Sequence, residues 1–235
     1  MSKKIKKIAA HVLTIELAPT LVGHWYLIDG KNLYPSSTTI LNFYPQSTQL
    51  TQWIAEKGWH ESQEIKTEAG KRGTNVHEAI EHLLKGGELS QEFYNLEEWH
   101  KISTFISWYK EYEPKIIETE TTVVSKKYKF AGKFDCLAKI DGRMYVLDWK
   151  TSKSAYPHFA LQVASYAFAL GEMRKINIEG TACVLLGARN KDGFRFLEYP
   201  DWNDNFKKFL AVKTIFENEV KEPPQIINLP TKLKL

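Results

Sequence analysis

Residues 131–153 read AGKFDCLAKIDGRMYVLDWKTSK, two runs of apolar residues joined by Asp141-Gly142. An Asp-Gly pair between runs of this kind predicts a two-residue β-hairpin turn. Position 140 then pairs with 143, and the count outward, step by step, brings Asp135 opposite Asp148. Pairs alternate between hydrogen-bonded and open. The count makes this one open, with Cα atoms about 4.5 Å apart. Two carboxylates so placed repel, which calls for a raised pKa or a cation held between them. Lys150 lies two residues beyond Asp148 and shares its face of the strand.

Two acids and a lysine on one face suit phosphodiester hydrolysis. Carboxylates hold a divalent ion that polarises the phosphate and acidifies bound water, and the lysine orients or activates that water. Oxygen ligands favour Mg2+ or Mn2+. The bland alternative is a solvated sheet face, the usual place for an acid and a lysine. Against it, Asp148 ends the apolar run Tyr145-Val146-Leu147, where an ionised group is costly unless it has a task.

Outward from the hairpin, residues 157–170 form an apolar helix, strands follow near 178–188 and 194–199, and a helix covers 201–219. Upstream, 116–129 reads as a strand. Helices are expected at 96–112 with Pro114 beyond, from 76 to 84 after Gly73-Thr74 and before Gly86-Gly87, and after Ser47. The segment 11–40 reads as a hairpin of two short strands around Asp29-Gly30. The whole is one mixed α/β unit: an N-terminal hairpin extension (1–45), a helical wall (46–114), a sheet-and-helix part (115–222) and a loose tail (223–235).

Of 235 residues, 43% are hydrophobic and 13% aromatic, ample for a packed core. No apolar run reaches the roughly 18 residues of a membrane span, so no membrane partner is expected. Only two cysteines are present, Cys136 and Cys183, both in apolar runs. That excludes a four-cysteine cluster built by this chain alone and points to a reducing, intracellular setting. A net charge of +4 permits a nucleic-acid partner without requiring one.

The stretch 131–153 together with LQVASYAFAL at 161–170 resembles the RecB-type exonuclease branch of the PD-(D/E)XK superfamily, which includes phage exonucleases and mitochondrial genome maintenance exonucleases. The resemblance implies that family's restriction-endonuclease-like core, a mixed sheet flanked by helices, with a mostly helical N-terminal half. It matches Gly132 and Asp135 to Gly-x-x-Asp, Asp148-Trp149-Lys150 to Asp/Glu-x-Lys, and Gln162 with Tyr166 to Gln-x-x-x-Tyr. KRGTNVHEAIEHLL at 71–84 resembles the upstream metal-binding helix and nominates His77; YPSSTTIL at 34–41 is similar to openings among phage members.

The metal ligands so implied are His77, Asp135, Asp148 and the main-chain carbonyl of Trp149, with Lys150 assisting the attacking water. Glu120, Gln162, Tyr166, Arg72 and Lys153 are implied as supporting or DNA-contacting residues, Glu120 with a further role open at a second ion. The activity implied is a Mg2+- or Mn2+-dependent DNA exonuclease acting on free or single-stranded ends. Its setting would be recombination, repair or replication in a bacterial or phage-infected cytoplasm rather than a mitochondrion, beside a recombination or replication protein. Iron-sulfur members of the branch carry a cysteine cluster that this chain lacks.

Competing readings remain open. His77 and His82 invite comparison with a zinc-protease helix, but five residues of separation turn them about 140° apart. Gln162 and Tyr166 also suit a hydrogen-bonded core pair. Lys71, Lys126, Lys127 and Lys129 suit phosphate contacts or a solvated face. Trp25, Tyr26, Tyr34, Phe43 and Tyr44 are candidates to stack on unpaired bases, with core roles expected for most. An endonuclease on the same fold and a catalytically silent binding module are the rival functions.

Overall fold

The computed structural model describes residues 13–20 and 22–227. The lysine-rich opening, the first two residues of the expected hairpin and the end of the expected tail lie outside them. At the N-terminus, β1 (Ile15–Ala18), β2 (Trp25–Ile28) and β3 (Asn32–Pro35) form an antiparallel meander in that order. The hairpin expected around Asp29-Gly30 is β2 with β3. Both turn residues have positive φ, 51° and 63°, the conformation Asp and Gly tolerate best. The third strand, β1, exceeds the expectation of two.

Four helices follow: α1 (Ser37–Leu41), α2 (Thr48–Lys57), α3 (Trp59–Leu84) and α4 (Leu96–Tyr112). Side-chain oxygens of Ser36 and Ser47 cap α1 and α2. In α4, Asn95 and Glu98 exchange hydrogen bonds in a full capping box. The expected start at Gly73 is not a boundary, since α3 runs through it. A helical glycine costs only about 1 kcal/mol, and this one serves packing. A Cβ there would stand 3.3 Å from Thr151 Oγ1, so its absence lets the helix approach the loop beyond Lys150. Asn75 Nδ2 donates to Glu98 Oε1 at 2.8 Å, tying α3 to α4.

The second sheet has the order β4 (Lys115–Ser125), β5 (Phe130–Ile140), β6 (Arg143–Lys150), β7 (Gly180–Leu185), β8 (Arg195–Glu198). All neighbours are antiparallel except β6 and β7, which are parallel and joined across α5 (Pro157–Arg174) as parallel strands require. The last helix is α6 (Trp202–Glu219). The Asp141-Gly142 turn has φ of 49° and 79°, and the register pairs Ile140 with Arg143 through to Cys136 with Leu147, as the hairpin count predicts.

Helices cover both faces of this sheet. On one, Val123, Phe130, Phe134, Leu137 and Val146 pack against α5 and α6. On the other, Cys136, Ala138, Tyr145, Leu147, Trp149, Ala182 and Val184 pack against α3 and α4. Strict alternation would keep Phe134 and Cys136 on one face. They lie on opposite faces, so the pleat of β5 slips at Asp135. The Trp149 ring is gripped from the second face by Phe105 and Trp108, ring centres 5.1 and 5.2 Å away, both edge-on. Phe105→Ala is therefore expected to cost about 3–5 kcal/mol of stability in denaturant unfolding; a loss under 1 kcal/mol would show that α4 does not brace β6.

Candidate active site

Asp135 sits where β5 stops pairing with β6. Beyond Cys136 and Leu147, a continued ladder would give the Trp149 N–H a backbone carbonyl of β5. Instead that N–H donates to Asp135 Oδ2 at 2.6 Å, so a side chain takes the place of a strand partner. The direct Asp135–Asp148 pair expected from the hairpin count is not formed, because the ladder ends one step short of it. The reason is electrostatic. Both carboxylates are buried, 7% and 3% exposed, and like charges directly opposed in a sheet destabilise it.

β7 takes the other edge of β6, where Leu186 N–H donates to the Lys150 carbonyl at 2.7 Å. Alternation then turns both backbone groups of Trp149 towards β5. The carbonyl expected as a metal ligand thus lies on the same side of the strand as Asp135.

Three donors converge from three elements. His77 comes from α3, Asp135 from β5 and Glu120 from β4, and one ligand atom of each lies within 4.8 Å of the others. His77 Nδ1 is 3.3 Å from Asp135 Oδ1. Glu120 falls opposite Asp135, between the pairs Thr119–Cys136 and Thr121–Phe134, with φ of 50°. A left-handed glutamate within a strand costs about 1–2 kcal/mol, strain of the kind that collects at functional sites. The sequence reading gave Glu120 a supporting part, whereas its carboxylate belongs to the tightest ligand group. Lys133, which that reading passed over, forms an ion pair with Glu120; its place two residues before Asp135 was the available signal.

Asp148 stands beside this trio. Lys150 Nζ is 2.5 Å from Asp148 Oδ2 and donates to Gln162 Oε1 at 2.8 Å. Gln162 Nε2 reaches Asp148 Oδ1 at 3.3 Å and Tyr166 Oη at 2.9 Å. One helical turn puts Gln162 and Tyr166 on one face of α5, and that face closes the site. Gly132 makes room for them, because a Cβ there would lie 2.4 Å from Tyr166 Cε1. A hydroxyl chain supports the same corner: Ser165 Oγ lies 2.8 Å from Ser37 Oγ, which donates to the Ala131 carbonyl.

The other nominated residues lie at the edge. Arg72 Nε is 3.4 Å from Glu97 Oε2, so its guanidinium bridges α3 to α4. Lys153 is exposed, and its charge reaches Glu97. Of the candidate stacking residues, Trp25 is 5% exposed in the core and Phe43 packs edge-on against Phe216. Tyr26 lines the cavity of about 420 Å³ that contains His77, Asp135, Asp148 and Lys150.

Burial and the neighbouring Asp135 raise the Asp148 pKa to about 6. Burial also pushes Asp135 up, but His77, the Trp149 N–H and Lys150 outweigh it and hold its carboxyl below the ordinary value. Burial opposes the charge on His77, yet Asp135 raises that imidazole to about 9. Burial disfavours the Lys150 ammonium too, and Asp148 overrides it and raises its pKa. A protonated His77 thus supplies positive charge among the acids. The donor set fits a divalent cation in that place: one imidazole nitrogen and two carboxylates, with the buried Asp148 beside them paired to Lys150 and Gln162.

With this geometry the family is plain: the chain belongs to the PD-(D/E)XK nuclease superfamily, whose pattern matches residues 95–221, more than half of it. It is similar to mitochondrial genome maintenance exonuclease 1 of Mus musculus, 28% identical over 182 residues that cover 69% of this chain and 52% of the mouse protein. It is likewise similar to the Homo sapiens protein of that name, 27% identical over 177 residues covering 69% and 51%. The chain thus spans about half the length of these curated relatives. A crystal structure from Eubacterium rectale described as a candidate exonuclease superposes with a TM-score of 0.43 at 14% identity, covering 70% of this chain and 77% of that one. That superposition is too loose to add to the family assignment.

Two outcomes follow. Gly132→Ala should destabilise by about 1–3 kcal/mol, the usual cost of overpacking, and by less in a Tyr166→Leu background, as denaturant unfolding of the four combinations would measure; equal costs would separate Gly132 from Tyr166. His77 is raised from 6.5 to about 9, so its ion pair stabilises fully below about pH 6.5 and is lost as pH climbs through about 9. Asp148, raised to about 6, loses its contribution at lower pH and leaves that window clear. In EDTA the melting temperature should fall from pH 6.5 to 9.5, and His77→Gln should flatten the fall; parallel profiles would contradict the pairing.

Proposed function

We propose that this chain is a Mg2+- or Mn2+-dependent DNA exonuclease that hydrolyses phosphodiester bonds from free or single-stranded ends, in recombination, repair or replication. The observation that carries the reading is the buried Asp148–Lys150–Gln162 cluster beside the trio of His77, Glu120 and Asp135. Surface charges have no reason to be buried, whereas catalytic groups do. The relatives named as exonucleases support the mode of attack.

His77, Asp135 and Glu120 would hold the ion, with Asp148 and the Trp149 carbonyl beside them. When bound, a divalent ion polarises the scissile phosphate and lowers the pKa of water. Lys150 orients that water, its ammonium fixed between Asp148 and Gln162. Gln162 sets the Lys150 and Asp148 head groups together, and Tyr166 holds the Gln162 amide. Closure by α5 keeps bulk water from the acids, which strengthens each charge interaction inside. Lys153 at the rim is available to a phosphate of the substrate.

The test sets end-labelled linear single-stranded DNA beside a circular control, in Mg2+, Mn2+ or EDTA, with wild type and Lys150→Ala. The expected result is metal-dependent loss of the linear substrate alone, reduced at least 100-fold in the variant, a typical loss for a group placed at the transition state. Cutting of the circle would establish an endonuclease on the same fold. Binding without cleavage in any metal would reduce the chain to a nucleic-acid-binding module.

A further inference from the structure

A second cavity, about 540 Å³, adjoins the first and shares Thr38, Lys150, Phe159 and Gln162 with it. Its other walls are the loop after α1, with Asn42, Tyr44 and Gln46, and the start of α5, with Tyr156 and His158. Lys150 stands between the two spaces, its Nζ 4.6 Å from the Phe159 ring centre.

Phe159 is buried, whereas Tyr44 and His158 are half-buried and Tyr156 opens to solvent. Tyr156 is 48% exposed, and its ring stacks on His158 at 5.7 Å with planes 12° apart. Phe159 meets both rings edge-on at 5.4 and 5.0 Å. Tyr44 approaches His158 from the opposite wall at 6.0 Å and 55°. Burial first, and Lys150 second, lower the His158 pKa below its ordinary value, so the ring presents a neutral face. Among the described residues the exposed side-chain amides of Asn42 and Gln46 form no hydrogen bond. Exposed rings beside idle amides suit a flat heterocycle with polar edges.

We infer that this cavity is a base-binding subsite, in which the base of an unpaired nucleotide next to the scissile phosphate packs against Tyr156 and His158 under Tyr44, with the Asn42 and Gln46 amides at its edge. The inference rests on the nuclease reading of the adjoining site and deepens it. The occupant follows from continuity: a strand whose phosphate lies at Asp148 and Lys150 has its next base within reach of the shared wall. A paired base could not enter, because its stacking faces are already covered by its neighbours. The subsite therefore selects single-stranded termini by stacking rather than by sequence.

The test uses the full chain and a single-stranded oligonucleotide in two forms. In one, a 2-aminopurine is moved along the terminal nucleotides and its fluorescence is read in EDTA, where nothing is cut. In the other, an abasic residue replaces it and cleavage is timed in Mg2+. Quenching at one position is expected, with about tenfold slower cleavage when that position is abasic, the effect of one lost base stack. Tyr156→Ala should abolish both the quenching and the discrimination, and Tyr156→Phe, which keeps the ring, should retain both. His158→Ala checks the same platform from its buried side.

Unquenched 2-aminopurine in an oligonucleotide that binds, or discrimination equal in wild type and Tyr156→Ala, would overturn the subsite while leaving the nuclease intact. Absence of cleavage with quenching lost in Tyr156→Ala would uphold the subsite and overturn the nuclease reading instead. Tyr156 is 48% exposed and touches the core through Phe159, and an unchanged melting temperature would verify that the variant is folded.

Discussion

The hydrogen bond from the Trp149 N–H to Asp135 Oδ2, 2.6 Å long, is the constraint around which the site is organised. It replaces a rung of the β5–β6 ladder by a carboxylate. A charge-assisted bond of this kind is about twice as strong as a neutral one, which offsets part of the cost of burying the acid. The same substitution ends strand pairing at Cys136 and Leu147, slips the pleat of β5, and leaves the edges of Trp149 and Asp148 open to a cavity instead of to another strand. The indole of Trp149, fixed by Phe105 and Trp108, keeps that N–H where the carboxylate needs it. Core packing on one face thus sets the position of a charge at the sheet's open end.

The charges around this bond are balanced in two groups. His77 neutralises Asp135 on the α3 side, and Lys150 neutralises Asp148 on the α5 side. Helix α3 therefore contributes His77 and α5 contributes Gln162, which holds the Lys150 head group, while the sheet contributes the acids and Lys150 itself. Glu120 adds a third, half-buried negative charge, opposed by Lys133 and His77, and burial pushes its pKa up, with Asp135 adding to the shift. Three carboxylates drawn together with an imidazole and two lysines form a donor set that suits a divalent cation. The left-handed backbone of Glu120 fits that account: folding accepts local strain to bring one more carboxylate into the trio.

Much of this was legible in the chain itself. The Asp141-Gly142 turn fixes the register by geometry as far as Cys136 and Leu147, which brings Asp135, Asp148 and Lys150 to one end of the hairpin but does not show that the two acids part. Gln162 and Tyr166 follow from helical spacing. Their precise partners do not, because the reach of a glutamine across to a strand depends on how α5 packs. The matched family pattern covers 95–221, and His77 lies before it; a lone helical histidine carries no local signal that separates a ligand from a core residue. Gly73 misled for a related reason. Propensity disfavours glycine inside a helix, but close approach to Thr151 favours one there, and tertiary contact overrides propensity.

The slip in the pleat was invisible for a deeper reason. Alternation predicts faces only while both strands stay regular, and nothing in TETTVVS or FAGKFDC spells out that Glu120 and Asp135 leave the ladder together. The register directly on either side is kept: Thr119 pairs with Cys136 and Thr121 with Phe134, so no residue is inserted at this point, and the one register shift of the pair falls earlier, between Ile116 and Glu118. The irregularity instead is shared, one residue on each strand, and it arises where two acids would otherwise be locked side by side in a dry sheet. Repulsion between Glu120 and Asp135, relieved by the Trp149 N–H, His77 and Lys133, accounts for the distortion that a count of residues cannot show. The same repulsion that breaks the ladder leaves these carboxylates gathered with His77, and this is how a sheet of ordinary topology comes to carry a donor set suited to a divalent cation at its open end.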